Sequence, residues 1–151
     1  MTNSLIKVQV KDFDVGLEYQ ALVQDNTADG AVVMFTGLVR DFNQGHKIRG
    51  LSLEHYAGMT ERALLDIVTT AHQRWQLGKV KVIHRIGELL VNDQIVFVGV
   101  SSPHREQAFE AAQFIMDYLK TQAPFWKKEL THSGQRWVTA NAKDTQAAKR
   151  W

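Results

Sequence analysis

The sequence predicts an α+β protein with a mixed, largely antiparallel sheet and two main helices. Strand segments follow one another in groups, with a helix after each group rather than after each strand, which disfavours a doubly wound parallel fold. Of the 151 residues, 44% are hydrophobic and only 2 are proline, as is typical of a soluble globular chain. Because repeats and linker-like stretches are absent, we expect one domain over residues 1–151.

The first strands are indicated by their apolar patterns. Residues 6–10 and 51–56 alternate between apolar and polar side chains, as half-buried strands do. Residues 31–36 form a short apolar run rich in strand-forming residues. Residues 37–50 are richer in charged and turn-forming side chains, so we expect a mobile loop of the kind that often carries function.

The middle of the chain is predicted to form a helix followed by two strands. The first helix has Thr60 as its N-cap and ends at Gly78, and its apolar residues recur every three or four positions. Residues 80–86 alternate in polarity. Residues 95–100 form a continuous apolar run that suits a central strand.

The second helix has clear boundaries in the sequence. Ser102 is the expected N-cap, and Pro103 takes the first helical position, where a missing amide hydrogen costs little. The helix ends before Pro124, because a residue preceding proline avoids helical torsions. A last strand over residues 135–140 and a short helix over residues 144–151 complete the predicted order.

Cysteine is absent from the chain. Its absence excludes disulfides, thiolate metal sites and a cysteine nucleophile on this polypeptide. No apolar run approaches the roughly 20 residues that span a bilayer, and the first residues lack the pattern of a signal peptide. We therefore expect a cytoplasmic protein without membrane contact.

Charge is distributed unevenly. Residues 1–119 carry 11 basic and 14 acidic side chains, whereas residues 120–151 carry 7 basic and 2 acidic ones. The C-terminal segment is therefore either an anion-binding region or a solvated basic tail, and charge alone favours the tail. Aromatic and basic residues interleave from Trp126 to Trp137, as in a groove for single-stranded nucleic acid. The net charge of +2 is small for such a binder.

Three cationic residues are candidates for binding an anion. His104 and Arg105 fall in the first turn of the second helix, where free amides and the helix dipole favour an anion. Two cations there weaken the helix, so helix stability does not account for them, and a solvated polar pair is the alternative. Arg40 follows an apolar strand and suits a phosphate or carboxylate, or else pairs with a surface carboxylate such as Asp41.

Lysines lie on both sides of the predicted helix end. Lys120 precedes Pro124, and Lys127 and Lys128 follow it. The helix dipole alone is sufficient to explain Lys120. If the turn gathers these ammonium groups, crowding or burial lowers a lysine pKa and makes the amine usable as a base or nucleophile.

No metal or cofactor is expected. The sequence lacks the common nucleotide-binding, serine-hydrolase and zinc-protease motifs. Its six histidines have no chelating spacing. His55 and His84 lie in alternating strand segments, and we interpret them as hydrogen-bonded structural groups.

Several segments together resemble the large, catalytic subunits of molybdopterin synthases. The likeness extends from about Phe13 to Trp151 and is specific because the segments occur in order. They are residues 35–40 (FTGLVR), 53–59 (LEHYAGM), 84–87 (HRIG), 102–105 (SPHR) and 118–129 (YLKTQAPFWKKE).

The resemblance implies an α/β hammerhead-type fold and a sulfurtransferase of molybdenum cofactor biosynthesis. Such an enzyme converts cyclic pyranopterin monophosphate to molybdopterin by inserting two dithiolene sulfurs. Each sulfur arrives as a C-terminal thiocarboxylate on a small ubiquitin-like subunit. The large subunit is expected to form a homodimer within a heterotetramer.

The resemblance also implies site residues. Lys120 and Lys127 match catalytic lysines, and Arg40, His104 and Arg105 match substrate-side anion-binding positions. The remaining substrate-binding positions are Leu38, Val39, Lys128 and Glu129. Leu38 departs from relatives that carry a basic residue there, so a contact at position 38 would involve the backbone.

The helix length restricts how these residues meet. About 16 residues separate His104 from Lys120, which at 1.5 Å per residue is roughly 24 Å. Either substrate and tail extend along a channel, or the site is completed across the dimer, which we favour. Two rival functions remain: a non-catalytic scaffold for the small subunit, and a basic module that binds single-stranded nucleic acid.

Overall fold

The computed structural model describes residues 4–43, 45–138 and 142–151. Within these ranges the chain forms four helices and ten strands. The helices are α1 (Val15–Val23), α2 (Met59–Arg74), α3 (Arg105–Gln122) and α4 (Ala142–Ala148). The strands are β1 (Ser4–Gln9), β2 (Ala31–Leu38), β3 (Phe42–Asn43), β4 (His46–Lys47), β5 (Gly50–His55), β6 (Val80–Arg85), β7 (Gly87–Leu90), β8 (Gln94–Ser102), β9 (Phe125–Thr131) and β10 (Gly134–Val138).

The larger core lies between a mixed sheet and the helices α2 and α3. The sheet has the strand order β1-β6-β8-β2, with β1 parallel to β6 and the other pairs antiparallel. Apolar residues of the central strands β6 and β8 pack against one face of each helix. Burial of these side chains fixes how α3 lies on the sheet, and therefore where its last turn ends.

A second sheet lies beside the end of α3. Its order is β10-β9-β5-β7, and every pair is antiparallel. A smaller apolar cluster anchors this sheet, formed by Val39, Ile48, Leu51, Leu53 and Leu89. The predicted fold class, α+β with largely antiparallel strands and two main helices, is confirmed.

Besides the short hairpin of β3 and β4, three elements were not predicted from the sequence: α1, β7 and β9. Helix α1 begins after Asp14, whose Oδ1 accepts a hydrogen bond from the Leu17 amide at 3.1 Å. Among the described residues of α1 only Leu22 is buried, so the helix has little amphipathic pattern. The aromatic turn predicted at residues 124–126, before Lys127 and Lys128, leads directly into strand β9, which is hydrogen-bonded on both edges, to β5 and to β10.

Both long helices begin at different residues from those predicted. Ser102 remains in β8, paired with Ala31, so His104 is the N-cap of α3 and Arg105 its first residue. The Ser102 hydroxyl still accepts a hydrogen bond from the His104 amide, at 3.3 Å. Helix α2 begins after Gly58, whose φ of +87° favours glycine, and Thr60 is fully buried inside the first turn.

The outer elements differ in smaller ways. The predicted strand over residues 135–140 is β10, and residues 139 and 140 lie outside the described ranges. The expected loop over residues 37–50 contains the short hairpin of β3 and β4. No helix in the described part of the chain is long and apolar enough to cross a membrane.

Candidate active site

A cavity of about 390 Å³ opens where the last turn of α3 meets the second sheet. Its walls come from β3, β5, β6, β8, β9 and β10, from the end of α3 and from α4. The lining residues are Arg40, Asn43, Leu51, Leu53, His84, Ile95, Leu119, Lys120, Thr121, Ala123, Phe125, Lys127, Val138 and Asp144.

A tight turn brings two lysines into this cavity. The Phe125 amide donates to the Ala123 carbonyl at 3.0 Å, so the chain reverses directly after α3. Thr60 of α2 stabilises the turn, because its hydroxyl donates a hydrogen bond to the Pro124 carbonyl at 2.9 Å. Lys120 precedes the turn and Lys127 follows it, and both line the cavity.

The environment of Lys127 makes its ammonium group more acidic than that of an exposed lysine. Burial lowers the pKa of Lys127 below the ordinary lysine value, and the nearby charges of Lys120 and Arg40 act in the same direction. The carboxylates of Glu129 and Asp144 oppose this effect. The cavity therefore combines a crowded cationic surface with a lysine that gives up its proton more readily than an exposed one.

Strand alternation separates Lys127 from Lys128. Lys127 lies opposite Leu53 on β5 and Val138 on β10, and all three line the cavity. Lys128 lies opposite Trp137, and its ammonium sits 4.4 Å from the centre of the Trp137 ring on the other face of the sheet. The structure therefore does not bring Lys128 into the cavity with Lys127.

Glu129 is fully buried beside the cavity. Its Oε1 accepts a hydrogen bond from Arg136 Nε at 2.8 Å and forms an ion pair with Arg136 Nη2 at 2.6 Å. Its Oε2 accepts a hydrogen bond from Nδ2 of the Asn43 side chain. Glu129 therefore braces β9 against β10 and places a negative charge near Lys127, without lining the cavity itself.

The residues at the end of β2 divide between site and core. Arg40 is exposed and lines the cavity. Val39 is buried, and its amide and carbonyl bond to Asp93 and Asn92 at 2.9 and 2.8 Å, so its backbone is occupied by the neighbouring turn. Leu38 is 48% exposed and lies outside the cavity.

His104 and Arg105 are exposed at the opposite end of α3 from Lys120. Because α3 is one continuous helix of 18 residues, neither side chain reaches the cavity of its own chain. The structure therefore brings together Arg40, Lys120 and Lys127, and leaves His104 and Arg105 apart from them.

Eleven cavity residues were not site candidates, and three of them carry an imidazole, amide or carboxylate group: His84, Asn43 and Asp144. His84 was interpreted as structural, and its burial and its hydrogen bond to a backbone carbonyl agree with that interpretation in part. No sequence signal places Asn43 or Asp144 beside β9, because those contacts depend on tertiary packing. Within the described ranges, no group of three or more acidic or histidine side chains is arranged to hold a metal ion.

An α+β fold that gathers lysines from a helix end and a strand in one cavity defines a class of protein with a cationic, anion-binding pocket. Residues 8–122 match the family model described as MoaE protein. The chain is 60% identical over 151 residues to the molybdopterin synthase catalytic subunit of Escherichia coli (strain K12), with all of both chains covered. The chain belongs to the MoaE protein family.

Solved structures agree with this assignment. The MoaE protein from Burkholderia ambifaria MC40-6 superposes with a TM-score of 0.84 at 46% identity, covering 98% of this chain and 97% of that one. A complex of subunits 1 and 2 of molybdopterin-converting factor from Helicobacter pylori 26695 contains a chain with the same fold, with a TM-score of 0.72 at 21% identity, covering 91% of each chain. The predictions of family and of an enzyme are confirmed.

Proposed function

We propose that this chain converts cyclic pyranopterin monophosphate to molybdopterin by inserting two dithiolene sulfurs. The observation that carries the proposal is the cavity that Lys120, Lys127 and Arg40 share, in a chain closely related to molybdopterin synthase catalytic subunits. A phosphorylated substrate and an anionic sulfur donor both require compensating positive charge. The cavity supplies three cations against one carboxylate, Asp144, among its described lining residues.

The two lysines take different roles in this proposal. Lys120 is exposed, so an incoming protein tail can reach its ammonium, which polarises the thiocarboxylate carbonyl or transfers a proton. Lys127 is more deeply placed and has a lowered pKa, which suits it to exchange a proton with bound substrate. Arg40 at the rim binds the phosphate.

The sulfur donor is a second protein in this proposal. The chain contains no cysteine, so sulfur cannot be held on it as a thiolate or persulfide. Relatives are named catalytic subunits, which implies a further subunit, and a chain of this fold occurs in a two-subunit complex. A small ubiquitin-like subunit that carries a C-terminal thiocarboxylate would enter the cavity and leave as a carboxylate.

A second copy of the chain would complete the site. His104 and Arg105 are exposed and lie a helix length from Lys120, so one small ligand cannot contact all three within one chain. Strand β2 is an edge of its sheet and exposes Met34 and Phe35, which suits contact with another protein surface. We propose a homodimer in which each partner supplies His104 and Arg105, within a heterotetramer with two small subunits.

Reconstitution tests the proposed activity. Purified chain, cyclic pyranopterin monophosphate and thiocarboxylated small subunit should yield the dithiolene, whereas small subunit with an ordinary carboxylate should not. If the small subunit binds but no dithiolene forms, the chain is a scaffold. Steep, salt-dependent binding to single-stranded RNA in place of turnover would favour the nucleic-acid module.

Subunit mixing tests the composite site. Lys120→Ala and Arg105→Ala homodimers should each be weakly active, but exchange of subunits would create heterodimers with one intact site. Activity should then recover to about a quarter of wild type, since half the dimers are mixed and each has one of two sites. No recovery, with exchange verified by mass spectrometry, would show that each site lies within one chain.

A further inference from the structure

His84 occupies a wall of the cavity that the proposed mechanism leaves unused. It lies near the end of β6, between Val8 on β1 and Val96 on β8, and is only 6% exposed. Its ring stacks on Phe125 with centroids 3.9 Å apart and planes inclined by 22°. Since Phe125 begins β9, this stack joins the first sheet to the strand that carries Lys127.

The hydrogen bond at His84 fixes its tautomer. Nδ1 lies 2.8 Å from the Arg85 carbonyl, which can only accept, so Nδ1 carries the proton. In a neutral ring Nε2 is then an acceptor with a free lone pair. The hydrogen bond that the structure gives the His84 ring is made through Nδ1, and the ring lines the cavity together with Lys120.

The ring is neutral over the physiological range. Burial lowers the pKa of His84 to about 4, and the charges of Lys120 on α3 and His55 on β5 act in the same direction, against the bond to Arg85. A group with so low a pKa is a poor proton acceptor at pH 7, so His84 is not suited to be the general base. It is suited to be a fixed hydrogen-bond acceptor.

We propose that His84 is a positioning residue for Lys120, whose ammonium donates to Nε2 across the cavity wall. The Phe125 stack and the Arg85 carbonyl hold the ring, so Nε2 has a fixed direction and limits the orientations of the long lysine side chain. The consequence for turnover rests on the proposed function, because it assumes that Lys120 contacts the thiocarboxylate. The proposed hydrogen bond between Lys120 and His84 does not depend on that assumption, since it follows from their placement in one cavity.

Two substitutions separate positioning from packing. His84→Phe keeps an aromatic ring against Phe125 and removes both nitrogens, whereas His84→Gln places an amide acceptor near the position of Nε2. His132→Phe is the matched control, because His132 is exposed in the turn between β9 and β10. Urea unfolding at pH 7 establishes that each variant is folded before activity is compared.

The first readout is steady-state kinetics in the reconstituted reaction. His84→Phe should lower kcat about tenfold and change KM for the pyranopterin less than about twofold, since orientation rather than binding is lost. His84→Gln should recover much of the loss, and His132→Phe should match wild type. Wild-type kcat in folded His84→Phe, or equal losses in the Phe and Gln variants, would overturn the proposal.

The second readout needs no activity. The rate at which an acylating reagent modifies Lys120 is measured by peptide mass spectrometry, relative to the rate at Lys7, in the absence of the small subunit. This ratio should be about threefold higher in His84→Phe than in wild type, because the amine no longer donates to Nε2. An unchanged ratio would overturn the positioning role. If the ratio changes but the wild-type chain forms no dithiolene, the proposed function is wrong and the hydrogen bond between Lys120 and His84 is still supported.

Discussion

Lys120 in the last turn of α3 and Lys127 in the third position of β9 line one cavity from opposite sides of the Ala123–Pro124 turn. Six intervening residues place two ammonium groups in a single site. Their proximity costs electrostatic free energy, and burial adds to that cost at Lys127. The pairing is therefore difficult to explain as a stabilising feature and is readily explained by binding of an anion.

The pKa of Lys127 should respond to Lys120. Lys120→Met removes a like charge, so the Lys127 pKa should rise, although burial should still hold it below that of an exposed lysine. Titration of the ¹³C-dimethylated lysine resonances by NMR measures the change, with Lys7→Met as control. A Lys127 resonance that titrates with the exposed lysines in wild type would contradict this account of the cavity.

Lys127 and Lys128 should differ sharply in importance. Lys127→Met should lower kcat/KM at least about a hundredfold, because a cavity group is lost. Lys128→Met should have a much smaller effect, since that side chain packs on Trp137 on the other face of the sheet. Equal losses in the reconstituted reaction would show that the functional site extends across β9.

Thr60 should stabilise the turn between the two lysines. Thr60→Val leaves the Pro124 carbonyl and the Tyr56 amide without the hydroxyl, which should cost about 1–3 kcal/mol of unfolding free energy. Thr70→Val, at a solvent-exposed hydrogen bond of α2, should cost about 0.5 kcal/mol or less. Urea denaturation compares the two, and similar values would mean that the buried hydroxyl contributes little.

His84 should make the fold sensitive to mild acid. The pKa of His84 is about 4 in the folded state, below the unfolded value of 6.5. The free energy of unfolding that His84 contributes is therefore fully present above pH 6.5 and is lost as the pH falls towards 4. Between pH 7 and pH 4, wild type should lose about 3 kcal/mol more stability than His84→Phe. Identical losses by urea denaturation at the two pH values would show that His84 is not buried as a neutral group.

The sequence predicted the parts of the fold that depend on local pattern. The strands around Ile6, Val82 and Val98, and the helices α2 and α3, follow from polarity periods that match their burial. Helix α1 and strands β7 and β9 were missed because tertiary contacts determine them: α1 buries little, β7 is defined by pairing with β5, and β9 by pairing on both edges. The start of α3 was misplaced because pairing with Ala31 extends β8 through Ser102.

The residues of the candidate site were likewise predicted only where residue type and family resemblance indicate them. Arg40, Lys120 and Lys127 were identified as candidates from residue type and family resemblance, and the structure brings them together. Which face of β9 each lysine takes depends on strand register, which the sequence did not reveal, so Lys128 was grouped with Lys127. His84 was recognised only as structural, because its approach to Phe125 joins two sheets that are distant in sequence.

The most direct test of the central claim is the rate of dithiolene formation by Lys120→Ala with thiocarboxylated small subunit and cyclic pyranopterin monophosphate. We predict a loss of at least about a hundredfold with the protein folded and the small subunit still bound, while Lys7→Ala retains the wild-type rate. A wild-type rate in Lys120→Ala would contradict the assignment of this cavity as the place where sulfur is transferred.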